Sequence, residues 1–179
     1  MAAALDKLVD PFQETLNANK NDDLRFDFCD FFDGHTKVSG WFADTFGNPR
    51  RHFCGNFFGC YKDGVFQLDE KLFYTDGMKE SRVWSISISD DGEFRATSDS
   101  LIGEAIGSCV GNTLKMRYAM NVQIDDKRVW RLAMKDQMIL QRDGSLHNIT
   151  GVYKWGVKIG AVSAQYQRHR GEKLCCIDT

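Results

Sequence analysis

From Val38 onward the apolar residues recur with a period of two, and a turn signal arrives every 13 to 20 residues: Asn48-Pro49, Asp63-Gly64, Asp76-Gly77, Asp91-Gly92, Gly111-Asn112, Asp125-Asp126 and Asp143-Gly144. A period of two broken by such dipeptides predicts antiparallel strands joined by short hairpins. The intervals leave room for about nine to ten long strands. Residues 114 to 124 carry the alternation most cleanly, with Leu114, Met116, Tyr118, Met120, Val122 and Ile124 on one face and Lys115, Arg117, Asn121 and Gln123 on the other. One face meets a core and the other meets water. A sheet of this many strands must close or leave two exposed edges, and short connections throughout favour closure as an up-and-down barrel over a Greek-key sandwich. The predicted fold is therefore an all-β, lipocalin-like barrel, whose interior is either packed or holds one small-ligand cavity. An abundance of Phe (13) and Gly (16) with only 2 Pro agrees with long strands and tight turns. The run Phe53, Gly55, Phe57, Gly59, Tyr61 suits a strand that curves past bulky neighbours.

At 179 residues the chain has the length of one domain. Leu5, Leu8, Val9, Phe12 and Leu16 fall at helical spacing, interrupted by Pro11, so residues 1–24 are expected to form a short N-terminal helical segment and linker, 25–170 the barrel, and 171–179 a flexible tail. The first residues contain Asp6 and Asp10 and no apolar core of a secretory signal, and no stretch reaches transmembrane length, so a cytoplasmic protein without stable membrane insertion is expected. Six scattered cysteines fit reduced thiols. Cys176 stands fourth from the end, but Asp178 occupies a position that prenylation requires to be aliphatic.

Three charges interrupt the apolar face. If Thr75, Asp76 and Gly77 form the centre of a turn, then Leu72 lies opposite Glu80, Glu70 opposite Arg82, Leu68 opposite Trp84 and Phe66 opposite Ile86. Glu70 and Arg82 thus answer each other on the inner face. Asp136 falls on the same face as Trp130, Leu132, Met134 and Met138, and a three-residue turn at 125–127 sets it opposite Met116 and near Tyr118. Burial would raise its pKa unless a cation holds it ionised. Such charges either fix strand register as a satisfied interior pair or serve as the polar handle of a ligand in an apolar cavity. Asn148 and Lys154 share a parity, and their face depends on whether the turn at Asp143-Gly144 holds two or three residues.

Other chemistry is not encouraged. A formal charge of -2 provides no field for nucleic acid. His35, His52, His147 and His169 lack metal-ligand spacing, Gly107 and Gly111 are not followed by the Lys-Ser/Thr of a phosphate loop, and no Ser or Cys has the glycine elbow of a hydrolase nucleophile. No metal and no cofactor are expected.

Taken in order, the segments FFDG, SGWFADTFGNPRRHF, LDEKLFYTDGMKESRVW, SDSLIGEAIG, GNTLKMRY, KDQM and HNITGVYKWGVKIG resemble a bacterial family known as domain of unknown function 3833, most of whose members are described as lipoproteins. The resemblance covers about residues 30 to 169. Its pattern falls on Trp41, Asp44, Glu70, Asp76, Gly77, Arg82, Trp84, Asp99, Gly111, Asn112, Asp136, Asn148, Lys154 and Gly156. The chain departs from the family at its start, where neither the signal peptide nor the lipobox cysteine of typical members is seen. The resemblance implies no chemistry, since a fold does not dictate function.

These observations lead to the expectation of a barrel that binds a small hydrophobic molecule, lipid-like or acyl-type, with Glu70, Arg82, Trp84, Tyr118, Trp130, Asp136, Asn148 and Lys154 as ligand-binding candidates. One alternative is an enzyme acting on a small apolar substrate, with Glu70 or Asp136 as general acid or base. The other is a solidly packed barrel that recruits a partner through an outer surface. Catalytic residues and oligomeric state are not assigned.

Overall fold

The structure is a computed structural model that describes residues 24–125 and 127–169. The expected N-terminal helices and the C-terminal tail fall outside the described residues. Ten strands follow one short helix in chain order: α1 (Phe28–Phe32), β1 (Gly34–Asp44), β2 (Pro49–Lys62), β3 (Val65–Tyr74), β4 (Lys79–Ile88), β5 (Glu93–Thr97), β6 (Ala105–Val110), β7 (Thr113–Asp125), β8 (Arg128–Leu140), β9 (Leu146–Lys154) and β10 (Val157–Arg168). Each strand pairs antiparallel with its neighbours in sequence, and β10 pairs with β1, so the sheet closes as a ten-stranded up-and-down barrel. Closure leaves no edge to be protected.

The register inferred from alternation holds where it was derived. Across the β3–β4 hairpin, Phe66 pairs with Ile86, Leu68 with Trp84, Glu70 with Arg82 and Leu72 with Glu80. Met116 pairs with Asp136 as expected, although the turn differs: Asp125 pairs with Arg128, and the register shifts between Gln123 and Asp125. A β-bulge there supplies the residue that a three-residue turn would have supplied. The turn before β9 has the longer of the two lengths considered: Leu140 pairs with Leu146, the Gln141 amide donates to the Ser145 carbonyl and the Gly144 amide to the Gln141 carbonyl, which leaves three residues, 142–144, at its centre. Its odd count sends Asn148 inward.

β5 and β6 are short, and the segment between them covers the flank of β7 that they leave bare. The Ile102 amide donates to the Ala119 carbonyl at 2.8 Å, the Asn121 amide to the Ser100 carbonyl at 3.0 Å, and Leu101 bridges to Met120. The outer flank of β7 is thereby hydrogen-bonded although β6 ends early.

α1 was not foreseen, since five residues are too few to display a helical period. It starts at Asp27, whose carboxylate accepts from the Asp30 amide at 2.9 Å. Its phenylalanines close one end of the barrel. Phe28 meets Phe94 at 5.3 Å between ring centroids and Phe66 at 6.4 Å, while Phe32 meets Tyr166 at 5.6 Å and Phe57 at 6.1 Å. The backbone after the helix presses so closely on β2 that a Cβ on Gly59 would stand 2.1 Å from the Phe32 carbonyl oxygen, which is why a strand interior carries glycine there. Arg168, the last residue of β10, locks the plug by donating from Nε to the Phe31 carbonyl at 3.0 Å and pairing with Asp30 at 2.6 Å. The Phe26 amide donates to Gly111 at 2.8 Å and pins the segment before the helix to the β6–β7 turn. Here the core is nearly all aromatic and aliphatic.

Candidate ligand cavity and its polar band

Above the phenylalanine plug the described residues leave the interior unfilled. A cavity of about 500 Å³ runs from Phe28 and Phe32 at its floor to Arg50, Arg51, Phe42 and Ile124 at its mouth. Its size is that of pockets that take small molecules. The walls are chiefly apolar and rich in methionine, with Met116, Met120, Met134 and Met138 from β7 and β8 facing Phe53, Phe57 and Leu72 from β2 and β3. Methionine side chains conform to varied shapes.

Two groups of polar side chains cross this apolar wall at mid-height. On β3 and β4, Glu70 is 7% exposed and accepts from the Trp84 indole Nε1 at 2.8 Å. Arg82 lies 3.4 Å from Glu70 through Nη1 and contacts Glu80 through Nη2. Burial pushes the Glu70 carboxyl above the usual carboxylate range, and Arg82 and the Trp84 N–H pull against it. Burial disfavours the charge of Arg82 as well, but Glu70 and Glu80 overcome that and hold its pKa above the ordinary arginine value. On β7, β8 and β9, the Tyr118 hydroxyl donates to Asp136 Oδ2 at 2.9 Å, and Asn148 Nδ2 donates to Thr150 Oγ1 at 3.3 Å. Asp136 is 5% exposed, and burial raises its pKa to about 6 against the opposing pull of Thr150, Tyr118 and Asn148. A carboxyl of that pKa can hold or release a proton near neutrality. Burial, with Asp136 beside it, keeps the Tyr118 phenol protonated well past its ordinary range.

The two groups meet through rings. Trp84 packs edge-on against Tyr118 at 5.7 Å, so Glu70, Trp84, Tyr118 and Asp136 form a continuous band from one wall of the barrel to the other. Local sequence placed each half of the band correctly, and barrel closure joined them.

Of the eight candidates read from the sequence, Glu70, Arg82, Trp84, Tyr118, Trp130, Asp136 and Asn148 line the cavity. Lys154 does not. It ends β9 at the open rim, where its Nζ sits 3.2 Å from the centre of the Trp130 ring and 4.6 Å from that of Trp155. The position is inward by parity, but there is no wall left beyond it to enclose the side chain. Glu80, Thr150, Tyr74 and Tyr166 also line the cavity and were not chosen from the sequence. The pairing of Leu72 with Glu80 had already put Glu80 on the inner face, and parity from Asn148 would have put Thr150 there. At the mouth, Arg51 pairs with Asp76 at 2.8 Å and lies 3.6 Å from the centre of the Tyr74 ring. Among the described residues no three His, Cys, Asp or Glu side chains gather to hold a metal ion, and no helix is long and apolar enough to cross a membrane.

No curated protein matches the chain. Among solved structures, the S-type phycobiliprotein lyase CPES from Guillardia theta is similar in fold, with a TM-score of 0.58 over 81% of this chain and 92% of that one at 6% sequence identity. The likeness agrees with a lipocalin-like, calycin-type barrel. The ordered motifs from FFDG to HNITGVYKWGVKIG lie on the strands and turns that build this barrel, the family model described as protein of unknown function (DUF3833) matches residues 8–168, and the chain belongs to that family.

Proposed function

We propose that the barrel binds a small, mainly hydrophobic molecule inside its cavity, with the apolar body against the methionine and phenylalanine walls and a polar end at the band formed by Glu70, Arg82, Trp84, Tyr118 and Asp136. The observation that carries this reading is the cavity itself: about 500 Å³ of apolar interior that the described residues leave unfilled, closed at one end by α1 and left open by them at the other. A barrel whose only task was to be stable would fill such a space, because lining atoms without partners forfeit dispersion contacts. Buried carboxylates add a second cost that a headgroup would offset. A fold shared with a phycobiliprotein lyase is in keeping with a barrel that accommodates a small molecule.

The test is a fluorescence titration with N-phenyl-1-naphthylamine, a neutral apolar probe. Saturable one-to-one uptake is expected. Ala164, a buried cavity-wall residue on β10, offers a way to block it. Ala164→Phe should fill the space and abolish uptake while circular dichroism shows the barrel intact. No uptake by the unmodified protein would refute the reading.

A further inference from the structure

We propose that the molecule held in this cavity presents a hydrogen-bond donor to the polar band, in its simplest form an ammonium group on an apolar body, and that carboxylate-headed lipids are disfavoured. This rests on the reading that the cavity holds a small hydrophobic molecule, and it narrows the acyl-type ligand expected from the sequence.

The argument is a count of donors and acceptors. Every arginine against the cavity is already engaged: Arg50 with Asp44 at 2.6 Å, Arg51 with Asp76 at 2.8 Å, and Arg82 with both Glu70 and Glu80. The Trp84 N–H is given to Glu70 and the Tyr118 O–H to Asp136, and of the two Asn148 amide N–H groups one goes to Thr150 while the amide also acts on Asp136. The buried side-chain atoms of the band that lack a partner are all acceptors: Glu80 Oε1, Asp136 Oδ1 and Asn148 Oδ1. Asp136 and Asn148 are each 5% exposed and lie on adjacent strands of one wall, two register positions apart. Glu80 faces the cavity from β4. A buried oxygen without a donor is costly, and a carboxylate oxygen more so. The hydroxyls of Tyr74, Tyr166 and Thr150 rotate and can serve in either sense. They do not change the balance set by the carboxylate oxygens of Glu80 and Asp136, which in the ionised state only accept.

Charge points the same way. Glu70, Glu80 and Asp136 stand against the single guanidinium of Arg82 in the band. An incoming carboxylate would meet surplus negative charge, and to reach Arg82 it would have to displace Glu70 or Glu80 and leave that carboxylate buried and unpaired. An ammonium carries three donors and no acceptor, which complements what the wall lacks.

The experiment compares three ligands of one chain length, dodecylamine, dodecanol and dodecanoate, as displacers of N-phenyl-1-naphthylamine at pH 7.5 and below their aggregation concentrations. The expected order is amine, alcohol, carboxylate, with the amine ahead of the alcohol by about tenfold or more, the worth of one charge-assisted hydrogen bond. In Asp136→Asn, and separately in Glu80→Gln, the amine-to-alcohol ratio should drop by about fivefold or more, since each substitution removes one of the charged acceptors. Dodecanoate binding as tightly as dodecylamine, or a ratio unchanged in both variants, overturns the inference while probe uptake leaves the cavity reading standing. Absence of binding by the probe and by all three chains overturns both.

Discussion

The two ends of the barrel are built on opposite plans. At the closed end α1 inserts Phe28 and Phe32 among Phe57, Phe66, Phe94 and Tyr166, and the backbone amide of Phe26 and the guanidinium of Arg168 hold the plug in place. At the open end the turns carry Phe46, 88% exposed, and Trp155, 90% exposed, and the wall is finished by ion pairs such as Arg51–Asp76. One end is a core in the ordinary sense. The other gives up burial for access. The difference teaches that packing and access to the interior are assigned to separate regions of one continuous sheet, with the polar band lying between them.

The sharpest way to break that comparison is to make the same truncation at both ends. Phe32→Ala, at a side chain 1% exposed and in contact with four other rings, should cost about 3–5 kcal/mol in denaturant unfolding. Phe42→Ala, at the half-buried mouth, should cost only about 1 kcal/mol because part of that ring is already wet. Equal losses at the two ends would contradict the division.

The band between the ends should reveal itself through pH. Asp136 has its folded pKa raised from 3.8 to about 6, so between those values the folded protein binds a proton that the unfolded chain has released. Stability from this group is intact below pH 3.8, declines as pH rises toward 6, and stays reduced above it. Asp136→Asn removes the penalty, so measured against the parent the variant should gain up to about 3 kcal/mol between pH 4 and pH 7.5. Parent and variant are compared at each pH because Asp44, Asp76, Asp91, Asp125 and Asp143, whose pKa values are lowered, give the whole protein an opposite trend. A difference independent of pH would mean that Asp136 is not held in the state described. Gain of stability together with loss of amine preference would identify the band as a feature retained for binding at a cost in stability.

The smallest effect belongs to the rim. Phe46→Ser and Trp155→Ser should each change unfolding free energy by less than about 0.5 kcal/mol, since neither ring is buried. A larger loss in either would show that the open end contributes to the core after all.

Much of this is legible in the amino-acid sequence. Alternation and turn dipeptides announce the succession of strands and, at the two hairpins whose register they give, the inward charges, because a strand's facing depends only on its own residues and on the hairpin beside it. That is how Glu70 came to face Arg82 and Asp136 to face Met116. Lys154 shows the limit of the same rule, since parity assigns a direction but not a depth along the barrel, and at the rim an inward residue has no wall to line. α1 escaped notice because five residues carry no period, although Asp27 three residues before Asp30 and the cluster of phenylalanines were present to be seen.

The sequence by itself determined the alternation of strands and turns, the facing of the residues at two hairpins and the identity of the charges buried there, since these follow from local alternation and the turns between neighbours. Only the tertiary structure decided which end is plugged, that the interior is left unfilled, and that Trp84 and Tyr118 meet to join two polar groups into one band. Those features depend on how far apart the walls of a closed barrel stand and which residues face each other across it. Such distances arise between strands separated by dozens of residues, and no local pattern encodes them.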